Sequence, residues 1–191
     1  RVATVYVQLV QDAASGGAVV VVNDAGERLM YSLLGNVLVR FPDAIPSAAF
    51  EGLNALYVAE ALEEVASSCV RRARTAGAEV YFAPGGMFCA QGYDGLPGFL
   101  DQADALFLSR TELDMLRGND SGRHMISRLL ERVACVYLTL GKEGCAYYAR
   151  GERPLLQPAL PVTPLQRESS RRGCRGIPLP GRWPLPVLPQ P

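Results

Sequence analysis

Three things are scarce in this 191-residue sequence: long apolar runs, histidine and lysine. No stretch of about 18 or more apolar residues occurs, so no segment is expected to cross a bilayer as a helix. Arg1 falls in mid-pattern and no signal peptide opens the sequence. The single histidine, His124, lies in a polar loop before a helical pattern, where a surface or capping role is expected. A Ser-His-Asp or metal-histidine enzyme therefore lacks its parts. The five cysteines, Cys69, Cys89, Cys135, Cys145 and Cys174, contain no Cys-x-x-Cys. That spacing argues against a disulfide framework or a zinc site, and for reduced, mostly buried thiols in a cytoplasmic protein. No Gly-x-Gly-x-x-Gly follows any strand pattern, which disfavours a dinucleotide-dependent oxidoreductase.

What is present has the composition of one globular domain. Hydrophobic residues make up 49% and charged residues 20%, with 19 basic against 19 acidic side chains. A disordered or fibrous chain and a strongly basic nucleic-acid binder are excluded on these grounds. The averages hide an uneven chain. Ten of the 14 prolines fall between Pro154 and Pro191, and residues 165–191 carry five arginines and one acid. The remainder is net acidic, and Lys142 is the only lysine.

The first 160 residues alternate between strand and helix patterns. Ala18–Asn23 and Glu27–Ser32 read as a hairpin about the turn Asp24-Ala25-Gly26. A strand at Asn54–Ala59 leads into a helix over Ala61–Ala76, which Gly77 should stop in the left-handed conformation. Strand Ala78–Ala83, a glycine-rich loop and a short helix near Leu96–Gln102 follow. Strand Asp104–Ser109 precedes a helix Glu112–Arg117 with Thr111 as its cap and Gly118 as its stop. A helix over Gly122–Arg132 runs into strand Ala134–Leu140, a tight turn Gly141–Gly144 and strand Cys145–Ala149. Strands apolar on both faces and joined by helices predict a mostly parallel sheet with helices on each side. In such sheets ligands sit outside the carboxyl ends of the strands, here at or just after Ala59, Ala83, Ser109 and Thr139.

Two stretches carry chemistry. In Val136–Cys145 a strand delivers the Thr139 hydroxyl and then Gly141 and Gly144, three residues apart. Glycines there let backbone N–H groups approach an anion as a phosphate nest; a plain hairpin turn is the other reading. In Ala103–Gly118, Glu112 stands in the first turn after a strand's carboxyl end. A carboxylate there caps the helix or orients magnesium-bound water near phosphates.

In this order the two stretches resemble the ribokinase-like (PfkB) carbohydrate kinases. The matching residues are Asp104, Glu112, Leu116 and Gly118, then Thr139-Leu140-Gly141 with Gly144. Ala18–Arg28 and Leu34-Gly35-Asn36 resemble that family's hairpin and the Gly-Asn element after it. The resemblance covers about residues 15–164 and implies a three-layer α/β/α fold, mostly parallel and partial here. It also implies transfer of the γ-phosphoryl of ATP, with Mg2+, to a hydroxyl of a small-molecule sugar or nucleoside. Neither a nucleic-acid nor a membrane partner is implied, and a homodimer is left open. By position Thr139, Gly141 and Gly144 would line the nucleotide phosphates, and Glu112 would serve the metal. Ser109 stands where the family has Asn, and its shorter side chain puts that contact in question. Asn36 and Glu60 fall where substrate contacts could lie, or serve as a turn residue and a helix leader. Lys142 is expected to be solvated.

Two family elements are missing: an N-terminal Gly-Gly-x-x-x-Asn sugar motif, and a Gly-Ala-Gly-Asp motif expected after Pro161-Val162-Thr163-Pro164. The second supplies an anion hole and the catalytic aspartate, so no catalytic residue is assigned. Codons for Cys174–Gly181, read two nucleotides later, permit Ser-Gly-Asp-Ser-Phe-Ala-Gly, which resembles the missing motif. We therefore expect a partial kinase domain over residues 1–164 and an unstructured Pro/Arg-rich tail over 165–191, out of frame. The alternatives for the tail are a genuine disordered segment or a proline-motif ligand. The chain by itself is expected to be inactive, or to act as a non-catalytic fragment or regulatory partner of a full-length kinase.

Overall fold

The structure is a computed structural model that describes residues 5–6, 16–23, 28–33, 45–59 and 61–161. Its contacts separate residues 1–160 from 161–191, and of the second unit only Pro161 is described. The expectations for the turn 24–26, for Asn36, for Glu60 and for the tail 165–191 lie outside the described residues.

Strands β1 (Gly17–Val22) and β2 (Arg28–Leu33) form the antiparallel hairpin, with Gly17 opposite Leu33 and Val22 opposite Arg28. The pair makes a two-stranded sheet of its own, and Val19–Val22 and Leu29–Tyr31 are exposed. Among the described residues the main sheet has six strands: β3 (Ala55–Ala59), β4 (Glu79–Ala83), β5 (Ala105–Ser109), β6 (Cys135–Thr139), β7 (Cys145–Ala149) and β8 (Leu155–Gln157). They lie side by side in chain order. The first four are parallel, as expected, and the last two add on antiparallel.

Helix α1 (Glu63–Thr75) buries Val65, Ala66, Cys69, Val70 and Ala73, one stripe at helical spacing. Glu63 and Glu64 in its first turn and Arg72 and Arg74 in its last complement the helix dipole. Gly77, at φ 77°, ends it as expected: the Ala78 N–H reaches the Ala73 carbonyl and the Gly77 N–H that of Arg74. The expected glycine-rich loop contains a short helix α2 (Gly85–Cys89), whose Phe88 and Cys89 are buried. The short helix expected near Leu96–Gln102 is of the 3-10 type and begins two residues later. Pro97 is extended and starts a 3-10 turn at Gly98–Gln102 that buries Phe99 and Leu100. Helices α3 (Arg110–Arg117) and α4 (Gly122–Arg132) complete the connection from β5 to β6.

The core lies between these helices and one sheet face. Val58, Val80, Phe82, Leu106, Leu108, Val136, Leu138 and Ala146, alternate residues of five strands, pack with the helical residues in one cluster. Phe82 sits at its centre, edge-on to Phe88 at 5.8 Å and to Phe99 at 4.9 Å. The opposite face carries a row of rings. Tyr57 and Tyr81 each meet Phe107 edge-on, Phe107 stacks on Tyr137 at 4.8 Å, and Tyr137 meets Tyr147 at 5.1 Å. Tyr57 is 58% and Tyr137 39% exposed. The helix layer expected on this second face does not occur among the described residues.

Candidate functional site

The parallel register sets Ser109 and Thr139 side by side at the carboxyl ends of β5 and β6. These two hydroxyls, 30 positions apart in sequence, thus meet at the sheet end where ligands bind in open α/β folds. The Thr139 Oγ1 donates to the Leu108 carbonyl at 3.4 Å, and the residue is exposed.

Ser109 also caps α3. Its Oγ accepts the Glu112 N–H at 3.2 Å, while the Glu112 carboxylate accepts the Ser109 N–H at 2.5 Å. This reciprocal capping box corrects the assignment of the cap to Thr111. A capping hydroxyl stands just outside the helix, two or three residues before the N–H it accepts, and Thr111 already lies inside the helix. Of the two readings for Glu112, the structure contains the cap.

Beyond Thr139 the chain turns through Gly141–Glu143 and returns as β7, with Thr139 opposite Cys145. The plain hairpin reading is therefore the geometry of this segment. The turn is closed by bonds from the N–H groups of Leu140, Glu143 and Gly144, and those of Gly141 and Lys142 lie outside these bonds. The two glycines have different reasons. Gly141 has φ 61°, and nothing lies within 4 Å of where its Cβ would be. Gly144 has φ 106°, and its Cβ would meet the Gln157 carbonyl oxygen at 2.0 Å and the Ala159 nitrogen at 2.6 Å. Gly141 leaves room above the turn; Gly144 lets the chain enter β7 close against the backbone at the end of β8.

One ion pair joins these segments. Arg110 Nη1 donates to Glu143 Oε1 at 3.0 Å and Nη2 to Oε2 at 2.6 Å. The pair holds the Glu143 carboxyl below its usual range and raises the Arg110 guanidinium further. Neither residue belongs to a motif. Only their opposite charges, just after a strand end and inside the glycine turn, could have marked them in the sequence.

Asp104, at the other end of β5, is structural. Its Oδ2 accepts the buried Val80 N–H at 2.7 Å and pairs with Arg74 at 2.9 Å, and its own N–H donates to the Val80 carbonyl. His124 is exposed on α4, 3.9 Å from Asp120, in the surface role expected of it. Cys69 and Cys89 are buried, Cys135 half-buried and Cys145 exposed, and burial pushes the Cys69 and Cys135 thiols up. Among the described residues no group of His, Cys, Asp and Glu could hold a metal by itself, and no helix is long and apolar enough to cross a membrane.

A mostly parallel sheet with two hydroxyls and an open glycine turn at the carboxyl ends of its strands defines an α/β fold whose candidate site lies where such sheets bind ligands. A family profile described as pfkB family carbohydrate kinase matches residues 1–166, and the chain belongs to that family. Among solved structures, the chain is similar to a probable sugar kinase from Rhizobium etli, with TM-score 0.66 and 21% identity over 77% of this chain and 47% of the other. It is similar to ribokinase from Arabidopsis thaliana, complexed with ribose and ATP, with TM-score 0.64 and 20% identity over 80% and 51%. Fructokinase from Xylella fastidiosa with bound ATP gives TM-score 0.63 and 23% identity over 81% and 52%. The chain spans about half the length of these structures. No curated protein matches its sequence.

Proposed function

We propose that the chain carries the nucleotide half of a carbohydrate kinase site, for transfer of the γ-phosphoryl of ATP to a hydroxyl of a sugar or nucleoside. The observation that carries this reading is the pairing of Ser109 with Thr139 beside the open turn at Gly141. In it Thr139, Gly141, Gly144 and Ser109 line the phosphates. Glu112 serves Mg2+ with the part of its carboxylate that the capping bond leaves available, and Asn36 and Glu60, outside the described residues, are the candidates for acceptor contacts. The domain is residues 1–164, in the cytoplasm. ATP in two of the similar structures supports the nucleotide; Mg2+ follows from the charge of a triphosphate.

These 191 residues contain no Gly-Ala-Gly-Asp. Without an acidic base and an anion hole, phosphate contacts bind the nucleotide but stabilise the transition state poorly. Calorimetry with Mg2+ and ATP is expected to show binding that T139A weakens, and a panel of sugars and nucleosides to show no ATP turnover above background. Robust turnover would overturn the inactivity; absence of ATP binding would overturn the nucleotide site.

The row from Tyr57 to Tyr147, exposed at Tyr57 and Tyr137 and half-buried between and beside them, favours a second reading, a non-catalytic partner of a full-length kinase. Parallel sheets are covered on both faces, so an aromatic face without a helix layer among the described residues calls for a covering surface. Co-purification with a full-length kinase of the family, lost when Tyr57 and Tyr137 become serine, is the expected result. Retention of the complex by that variant removes the reading.

A further inference from the structure

Among the described residues, a single ion pair links the two segments that carry the proposed phosphate site, and it does so bidentately. Arg110 follows Ser109 directly, and Glu143 lies in the turn between Gly141 and Gly144. Of the other ion pairs, Arg117–Asp114 lies within α3 and the rest join α1 or α4 to segments elsewhere. A guanidinium fork that donates to two carboxylate oxygens presents the same geometry to two phosphate oxygens. The Glu143 carboxylate thus occupies the place on Arg110 that a phosphate group would take.

The pair is also suited to exchange. Both side chains are about half exposed, at 51% and 55%, and an exposed ion pair in water is held weakly. A triphosphate entering over Gly141 brings several negative charges to the turn that carries Glu143. It repels that carboxylate and attracts Arg110, so both changes favour the same swap.

We propose that Arg110 is a phosphate-binding residue of this site and that Glu143 is its resting counter-ion, displaced when a nucleoside triphosphate binds. The proposal rests on the nucleotide reading above and adds to it a selectivity. Affinity depends on how many phosphates the nucleotide carries, because only a phosphate can replace the carboxylate. Adenosine leaves the pair closed.

Calorimetry on the full chain with ATP, ADP and adenosine tests this, using R110A, E143Q and the double variant. R110A is expected to weaken ATP binding roughly tenfold, and E143Q to tighten it roughly three- to tenfold by freeing the guanidinium. The double variant should behave as R110A, since the gain in E143Q requires Arg110. Adenosine affinity should stay within about twofold in all three, which also reports that the variants are folded. The exchange is overturned if ATP binds the wild type and both single variants equally. It is overturned as well if the gain in E143Q persists without Arg110, which would make it simple relief of repulsion. No ATP binding to the wild type overturns the nucleotide reading together with this proposal, and so is distinguishable from the other two results.

Discussion

Gly144 and Gln157 meet backbone to backbone: a Cβ on Gly144 would stand 2.0 Å from the Gln157 carbonyl oxygen. Backbone cannot swing aside as a flexible side chain can, and φ 106° is itself strained for any other residue. G144A is expected to destabilise the domain by roughly 3–5 kcal/mol, overpacking and strain combined. At Gly141 only the backbone angle matters, so G141A should cost about 1–2 kcal/mol in stability. Urea unfolding of both variants checks the ranking, and equal losses would show that the crowding at the end of β8 is wrong.

Glu112 answers to two demands, the cap it makes and the metal proposed for it. Glutamine keeps an acceptor for the Ser109 N–H but lacks the charge. E112Q is expected to stay within about 0.5 kcal/mol of wild type in stability, and E112A to lose about 1 kcal/mol with its half of the capping box. Calorimetry with and without Mg2+ separates the roles: E112Q should lose the part of ATP affinity that Mg2+ adds. If Mg2+ strengthens ATP binding to E112Q as much as to wild type, Glu112 is a cap and nothing more.

Asp104 holds the other end of the same strand. Alanine there strands the Val80 N–H, which is buried and has no water to turn to. D104A should cost about 1–3 kcal/mol, the penalty for an orphaned buried donor. Arg74 and Asp104 are each more than a third exposed, so the ion pair itself adds little to that figure. Because the site lies at the opposite end of β5, ATP affinity under native conditions should be unchanged. A variant as stable as wild type in urea would refute the account.

Glu143 gives the molecule an acid-side signature. Arg110 lowers its carboxyl from the ordinary glutamate value, so the unfolded chain takes up the proton at higher pH than the folded one. The contribution to stability is complete above the ordinary value and disappears as the pH falls through the folded one. In R110A the titration should move back towards the ordinary value. Carbon-detected NMR of the Glu143 carboxyl follows this directly, and an unmoved midpoint in R110A would show that the pair does not form in solution.

Where periodicity alone decides structure, the sequence was readable. Met125, Ile126 and Leu129 share one face, and α4 has the bounds their spacing predicts. Gly77 and Gly118 stop helices with positive φ, as a residue without a Cβ should. Strand β8 was not readable, since three residues between Pro154 and Pro158 carry no period of their own. The cap of α3 was misplaced because Ser109 and Thr111 both offer hydroxyls. What decides between them is where β5 ends, and the pairing with Thr139 fixes that. Tyr and Phe on one face and Val and Leu on the other both count as apolar, so the asymmetry of the sheet was hidden. The site followed the same rule: each hydroxyl and glycine was found within its motif, while Arg110 and Glu143, 33 residues apart, required the fold.

The six strands stand in the sheet in the order in which they occur in the chain. No strand must be inserted between two that have already paired, so the sheet can lengthen by one edge at a time during synthesis. Every intermediate is a smaller sheet of the same kind, with its newest strand outermost. Among the described residues the sheet ends at β3 on one side and at β8 on the other, so a strand made later in the chain could extend it beside β8 without disturbing any pair already formed.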